Sequence, residues 1–438
     1  MRSFCRVGLL SIAIVGLLAC TLTVHAKSVE LILFGMPHAN NPEWNEAGIA
    51  MWKDANPQYS DVEVSVVSDW TNKLVTMTAA GTPPDIVHAS SSTIPSYVYG
   101  GFLRDITPLV QKDRAFSIGS YIPSTVETLR YKDGLYGLPR AWSAVATMYN
   151  ADLLGLRGIA PPSPDWTWGD LLSLAKKATF DSSGDGHNDH FGFSDTWTHH
   201  HRWPVWVWGA GGDLYNQDLT VATLNSEEAI KGMTFMAELY VTHNVAPRVV
   251  SSQLSEPGVT STQSGHSIHS DLFNRGLIAF FNTTRFSRPT SDLFEYGVLQ
   301  LPRGPAARTS VMVADYYGIS PYCEEPDIAW DLIKTITSPN GYEVARDPSK
   351  MYYWALSPHI RQARDILMAR DVPDQQAINW VIVAEDARRA EAQHPAAEAY
   401  SIDFDGVMTS TISMRQALDQ AVEQQNAKLA ELWKKKPW

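Results

Sequence analysis

The run Asp181-Ser182-Ser183-Gly184-Asp185-Gly186-His187-Asn188-Asp189 puts oxygen side chains at positions one, three, five and nine of a calcium-type loop, with glycine at six. Its candidate ligands are Asp181, Ser183, Asp185, His187 through its backbone carbonyl, and Asp189, and a calcium ion there would be structural. The twelfth position is Gly192 rather than glutamate, which excludes a complete EF-hand loop. The competing reading is a solvated polar turn before a Phe191-Gly192-Phe193 strand. His199-His200-His201 and the His266-x-x-His269 pair have metal-ligating side chains. Consecutive histidines do not converge easily on one ion, however, and no cysteine set supports a zinc site. No G-x-S-x-G, H-E-x-x-H or P-loop pattern occurs, so the sequence carries no signature of a hydrolytic or phosphate-handling centre.

The elements that would position these groups read as alternating strands and helices. Residues 29–34 are a buried strand, and a helix follows with Trp44, Ala47, Met51 and Ala55 on one face. Val62, Val64 and Val66 alternate with polar residues as a half-buried strand, residues 73–80 form a helix closed by Gly81, and residues 85–88 are a third strand. This order predicts a parallel sheet with right-handed crossovers, in which ligands bind beyond the carboxyl ends of the strands. That rule singles out His38, Trp70 and Ser91. His38 reads equally as a solvated loop histidine, whereas a large aromatic such as Trp70 beside a polar turn is poorly explained by core packing.

Further on, Trp203, Trp206 and Trp208 precede a Gly211-Gly212 turn; read as a strand, Trp206 and Trp208 share a face. Residues 226–240 are an amphipathic helix, 251–270 a flexible polar loop, 276–281 a buried strand and 417–433 a final helix.

The chain has 438 residues, enough for two or three domain-sized units, with 44% hydrophobic and 19% charged residues, as in a globular protein. The formal charge of −12 argues against nucleic acid as a partner. Fifteen tryptophans are an unusual number, and tryptophan offers a flat platform for apolar sugar faces as well as core volume. Arg2 and Arg6 precede an apolar run too short to span a bilayer, which reads as a secretory signal over residues 1–26. Val24-His25-Ala26 fits cleavage before Lys27, giving a free periplasmic protein. Leu17-Leu18-Ala19-Cys20 resembles a lipobox, which would leave a lipid anchor on Cys20. In either form Cys323 is the only cysteine of the folded body, so no intrachain disulfide forms there.

The stretch from Asp133 to Leu172 carries the most specific pattern. Asp133-Gly134 and Gly137 mark tight turns, Leu138-Pro139-Arg140 is extended, and residues 143–149 read as an apolar strand ending at Tyr149-Asn150. Pro161, Pro162 and Pro164 form a stiff spacer, and Thr167 caps a helix with Trp168 and Asp170 in its first turn. This order resembles the family 1 extracellular solute-binding proteins, the sugar-type substrate-binding subunits of bacterial ABC importers, with their "dGklYGLP", "YN" and "P-P-x-T-W" segments. Lys73-Leu74 through Gly81 to Asp85 resembles the family's "kl…aaGtaPDv" signature, Gly276 to Phe281 its "G-x-x-A-M/F" strand, and Pro326 to Ile336 its second crossover helix.

The resemblance implies an α/β, two-lobe periplasmic-binding-protein fold of type II, each lobe a mostly parallel sheet flanked by helices. Lobe one would comprise 27–138 plus 315–338, lobe two 139–314 plus 339–438, with hinges near 138–141 and 314–320. It implies a sugar, oligosaccharide or polyol ligand, ABC permease subunits as partners, a monomer, and no catalytic residues. The ligand would lie between Trp70 of one lobe and Trp142, Trp206 and Phe281 of the other, with polar contacts from His38, Ser91, Arg285 and Tyr316. The family often has tryptophan near position 285; an arginine there leaves open whether the ligand carries a carboxylate or phosphate. The rival class is a secreted carbohydrate-active enzyme, which needs two carboxylates about 5 to 10 Å apart.

Overall fold

The apolar runs 30–35 and 86–90 become strands because each alternates its side chains between two covered faces, while 63–68 alternates half-buried valines with exposed polar residues. A computed structural model of the chain describes residues 30–35, 42–68, 71–195, 201–218, 220–248, 265–285, 293–345, 356–368, 374–385, 387–389 and 400–435. Strands β1 (Glu30–Gly35), β2 (Glu63–Ser68) and β3 (Ile86–Ser90) are parallel, with β1 in the middle. A small hairpin pairs β4 (Arg130–Tyr131) with β5 (Gly134–Leu135).

The apolar stretch after Gly137 divides into β6 (Leu138–Ala144) and β7 (Ala146–Asn150), which enter different sheets. Then come β8 (Phe191–Asp195), β9 (Ile278–Thr283), β10 (Tyr296–Leu299), β11 (Ser310–Ile319) and β12 (Ala387–Arg389). The first sheet has the order β12-β11-β3-β1-β2, with β6 also on β11; the second has the order β10-β7-β9-β8. In the second sheet β8 and β9 run parallel, while β7 is antiparallel to both its neighbours.

β6 and β11 pair antiparallel along most of their length, with a register shift between Asp315 and Tyr316. Both Tyr316 and Tyr317 are fully buried in the core of the first sheet. Gly137 belongs to this junction: a Cβ there would stand 2.6 Å from Tyr316 Cδ2 and 2.9 Å from the Tyr317 carbonyl, so only glycine lets the turn approach.

Helices flank the sheets, and local chemistry sets their ends. Asn150 accepts the Leu153 N–H at 2.9 Å and so starts the helix Ala151–Leu156. Thr167 and Asp170 form a reciprocal capping box on Trp168–Ala178. Ser226 caps Glu227–Val241, whose buried face includes Ala229, Met233, Met236, Leu239 and Tyr240, as the spacing predicts.

The helix Pro42–Ala55 has the expected extent but a different inner face. Asn45, Ile49 and Trp52 are buried, because Trp52 donates its indole N–H to Asp331 at 3.0 Å and stacks on Tyr59. The polar run expected as loop contains the helix Gly265–Asn274; its residues 251–264 lie outside the described residues. Within that helix His269 is buried against the Ser194 hydroxyl, 2.7 Å away. Among the described residues no helix is long and apolar enough to cross a membrane.

Among the described residues the core falls into three clusters. One fills the first sheet around Leu33, Phe34, Val87 and Trp330. A second lies on one face of the second sheet around Phe193, Trp206, Met233 and Leu418. The third lies around Trp142, Met148, Phe281 and Trp380.

Candidate functional site

Of the residues predicted to meet a ligand, His38 and Trp70 lie outside the described residues. The others are interior. Ser91 is 1% exposed, and its Oγ accepts the Ala314 N–H at 3.3 Å, fastening β3 to β11. The Tyr316 hydroxyl lies 3.1 Å from Thr93 Oγ1 in the first cluster. Trp142 is 1% exposed, donates from Nε1 to the Ser357 carbonyl at 2.7 Å, and exchanges main-chain bonds with Leu356. Phe281 packs on Phe273 with centroids 5.3 Å apart. The backbone N–H of Arg285, itself buried, reaches Ser143 Oγ at 3.2 Å.

Trp206 lies in the second cluster on a helix, Pro204–Ala210, not on a strand. The signal for that helix was in the sequence: proline suits a first turn, and Gly211, at φ 97°, supplies the left-handed end. Partly solvated stacking faces were expected for Trp142, Trp206 and Phe281. Their burial in two separate cores corrects that expectation, since a ring packed on all sides has no face left for a ligand.

The calcium-type loop also departs from its expected chemistry. Asp181 accepts from the backbone N–H groups of Gly184 and Gly186, both at 2.7 Å, and Asp185 from that of His187. Asp189 accepts from Ser182 and pairs with His190 Nδ1 at 2.7 Å. These bonds hold both Asp181 and Asp189 below the usual carboxylate range, the Gly186 N–H being the main cause for the first and His190 for the second. Among the described residues no group of three or more His, Cys, Asp or Glu side chains could hold a metal ion. The loop is a self-satisfied polar turn.

Beneath the crossing strands lies a buried polar group. Arg140 on β6 donates to His88 Nε2 at 2.6 Å and lies over the Tyr317 ring at 5.6 Å. The Tyr317 hydroxyl donates to Asn45 Oδ1 at 2.6 Å. Asp315 beside it is pushed up to about 6 by desolvation, which the nearby Arg140 charge only partly offsets.

A groove with polar and aromatic lining lies elsewhere. It measures about 580 Å³ and opens between the segment carrying β4 and the segment that follows the helix Pro204–Ala210. One wall has Ser124, Thr128, Tyr131 and Lys132, with Glu127 and Arg130 paired at 3.5 Å. The other has Trp208, Asp213, Gln217 and Asp218, and Ala387 and Arg388 of β12 close one end. Trp208 is held in plane by a bond from its Nε1 to Asp213 Oδ1 at 3.1 Å, and the Arg388 guanidinium carbon lies 5.6 Å from its ring centroid.

Gly212 makes this wall possible: a Cβ there would fall 2.7 Å from the Ala229 N, so the turn could not pack on the helix Glu227–Val241. The arrangement offers aromatic surface together with hydroxyl, amide, carboxylate and cationic groups, which suits reversible recognition of a polyhydroxylated solute. Of the tryptophan-rich segment, it is Trp208, not the expected ligand contact Trp206, that lines this groove. Tyr131, Lys132 and Arg388 had no signal of their own.

The pattern of bacterial extracellular solute-binding proteins matches residues 41–343. A lipoprotein of Streptomyces antibioticus, otherwise uncharacterized, is 28% identical over 148 residues, which are 31% of this chain and 32% of that protein. The match thus spans about a third of that relative's length. The galactooligosaccharide-binding protein of Bacillus subtilis is 23% identical over 361 residues, 78% of this chain and 76% of that protein. Among solved structures, an ABC substrate-binding protein from Listeria monocytogenes in complex with cycloalternan superposes with a TM-score of 0.72 at 22% identity, covering 92% of this chain and 99% of that one.

Proposed function

The chain belongs to the bacterial extracellular solute-binding protein family, whose members bind rather than transform their ligands and have an α/β periplasmic-binding-protein fold; on that premise we propose that it captures a sugar, oligosaccharide or polyol derivative and delivers it to the membrane permease of an ABC transporter. The observation that carries this reading is the groove of about 580 Å³ between the β4 segment and the segment around Trp208 to Asp218. Its volume is in the range of small-molecule sites, and its lining pairs aromatic surface with hydrogen-bonding groups. The galactooligosaccharide-binding relative and the cycloalternan-bound neighbour support a carbohydrate.

In this reading the lobes are 27–138 with 315–338 and 139–314 with 339–438, and they close about β6 and β11. His38 and Trp70, outside the described residues, stay candidate ligand contacts on the sequence alone. The protein works as a monomer outside the cytoplasm, either free in the periplasm or anchored through Cys20.

The test is calorimetry of the purified chain against neutral and acidic oligosaccharides, with product analysis of the same samples. Saturable binding with the ligand recovered intact is the expected result. Turnover of the ligand, or absence of binding across the panel, overturns the reading.

A further inference from the structure

We infer that Arg388 is a displaceable cover on the Trp208 ring face and, once displaced, the main cationic donor to the ligand, so that this groove selects carbohydrates with an apolar ring face beside an acceptor-rich edge. The inference rests on the proposed carbohydrate reading and deepens it. Trp208 is 5% exposed although it lines the groove, and the Arg388 guanidinium lies over it at 5.6 Å.

That distance leaves no slot for a sugar ring. A ring stacked between indole and guanidinium needs van der Waals contact on both sides, a separation of roughly 7 to 8 Å. Stacking on this face therefore requires Arg388 to leave.

It can leave cheaply. Arg388 is itself exposed and, among the described residues, has no hydrogen bond or ion pair that holds it in place. Its backbone is fixed instead, by the parallel pairing of β12 with β11 in which Arg388 stands opposite Val311. A cation–π contact at an exposed site is weak, so a ligand needs only a modest surplus to break it. The freed guanidinium has five N–H donors in a planar fork, suited to vicinal hydroxyls or a carboxylate.

The platform, by contrast, does not move. The bond to Asp213 and the packing of the Pro204–Ala210 helix hold the indole in one plane.

The test uses the full chain, its Arg388→Gln and Arg388→Lys variants, and two measurements. In the first, N-bromosuccinimide oxidation of Trp208 is followed by peptide mass spectrometry without ligand. Arg388→Gln is expected to raise the rate about two- to five-fold, the equivalent of one exposed cation–π contact. Arg388→Lys is expected to lie between it and the unmodified chain, and buried Trp142 and Trp206 serve as internal controls. In the second, calorimetry with maltotetraose and with a galactooligosaccharide mixture is expected to show affinity falling about tenfold in Arg388→Gln, because a charge-assisted bond is worth more than the contact it replaces.

Oxidation up with affinity down supports the proposal. Unchanged oxidation overturns the cover, and oxidation up with affinity up or unchanged overturns the donor role. If neither sugar binds the unmodified chain, the carbohydrate reading falls and takes the donor role with it, while the oxidation result still decides whether Arg388 covers Trp208.

Discussion

Trp206 donates its indole N–H to Asp195 Oδ2 at 2.9 Å, and Tyr240 donates its hydroxyl to the other oxygen of the same carboxylate at 2.7 Å. Asp195 ends β8 and is fully buried. Desolvation raises its pKa to about 6, more than the two donors and the Arg202 charge lower it. An acid whose folded pKa lies above its unfolded value holds its proton more tightly when folded. Its stabilising contribution is then full below about pH 4 and is lost as pH rises through about 6. For Asp195→Asn, which cannot ionise, the stability difference between native chain and variant should therefore fall by about 2 kcal/mol between pH 4 and pH 7. Urea denaturation of both proteins across that range checks it; a difference independent of pH would mean that Asp195 ionises freely.

Trp142 is expected on a cleft wall, and the structure buries it in one core cluster with Ile122, Met148, Phe281, Met312 and Trp380. Truncating a buried tryptophan leaves a cavity and also strips the Ser357 carbonyl of its donor. Trp142→Ala should cost about 3 to 5 kcal/mol of stability. The ligand affinity of the remaining folded protein should hardly change. Paired calorimetry and denaturation would show the reverse pattern, lost affinity with normal stability, if the ring faced a ligand.

The short-range features were legible in the sequence. Thr167 announces a helix start because its side-chain oxygen reaches a backbone N–H only three residues on, and the structure has that bond. The strand-helix alternation before Ser90 likewise predicted three parallel strands. What failed was the choice of face. Met51 and Trp52 are neighbours in one helix, and the position of Asp331, far along the chain, decides which of them turns inward. Trp206 and Trp208 are separated the same way: Asp195 draws one inward, and Asp213 holds the other at the groove. The meeting of Trp208 with Arg388 depends on β12 joining β11, a pairing with no local signature.

Thr167 offers a test of a purely local device. Its hydroxyl accepts the Asp170 N–H, and Asp170 in turn accepts the Thr167 N–H at 2.8 Å. Thr167→Ala should lower stability by about 1 kcal/mol without affecting binding. The helix it starts packs Trp168 and Leu171 against the second core, so the loss should appear as a lower midpoint in denaturation rather than as local fraying. An unchanged midpoint would mean that solvent satisfies the first turn equally well.

The groove itself is tested at Gln217, because that side chain lines it and is exposed. Trp208 is unsuited to this purpose: its removal would cost packing in the second core as well as any ligand contact. Gln217→Ala removes a donor and an acceptor from the groove wall and creates no cavity in a core. A hydrogen bond lost to a ligand is worth about 0.5 to 1.5 kcal/mol, so the dissociation constant should rise roughly two- to twelve-fold. Thermal melting without ligand should stay the same. The added stability in saturating ligand should shrink in step with the weaker affinity, since stabilisation by a ligand scales with the logarithm of its concentration over the dissociation constant. Affinity unchanged in this variant and in Asp218→Ala together would remove the groove as the binding site and direct attention to the segments that carry His38 and Trp70.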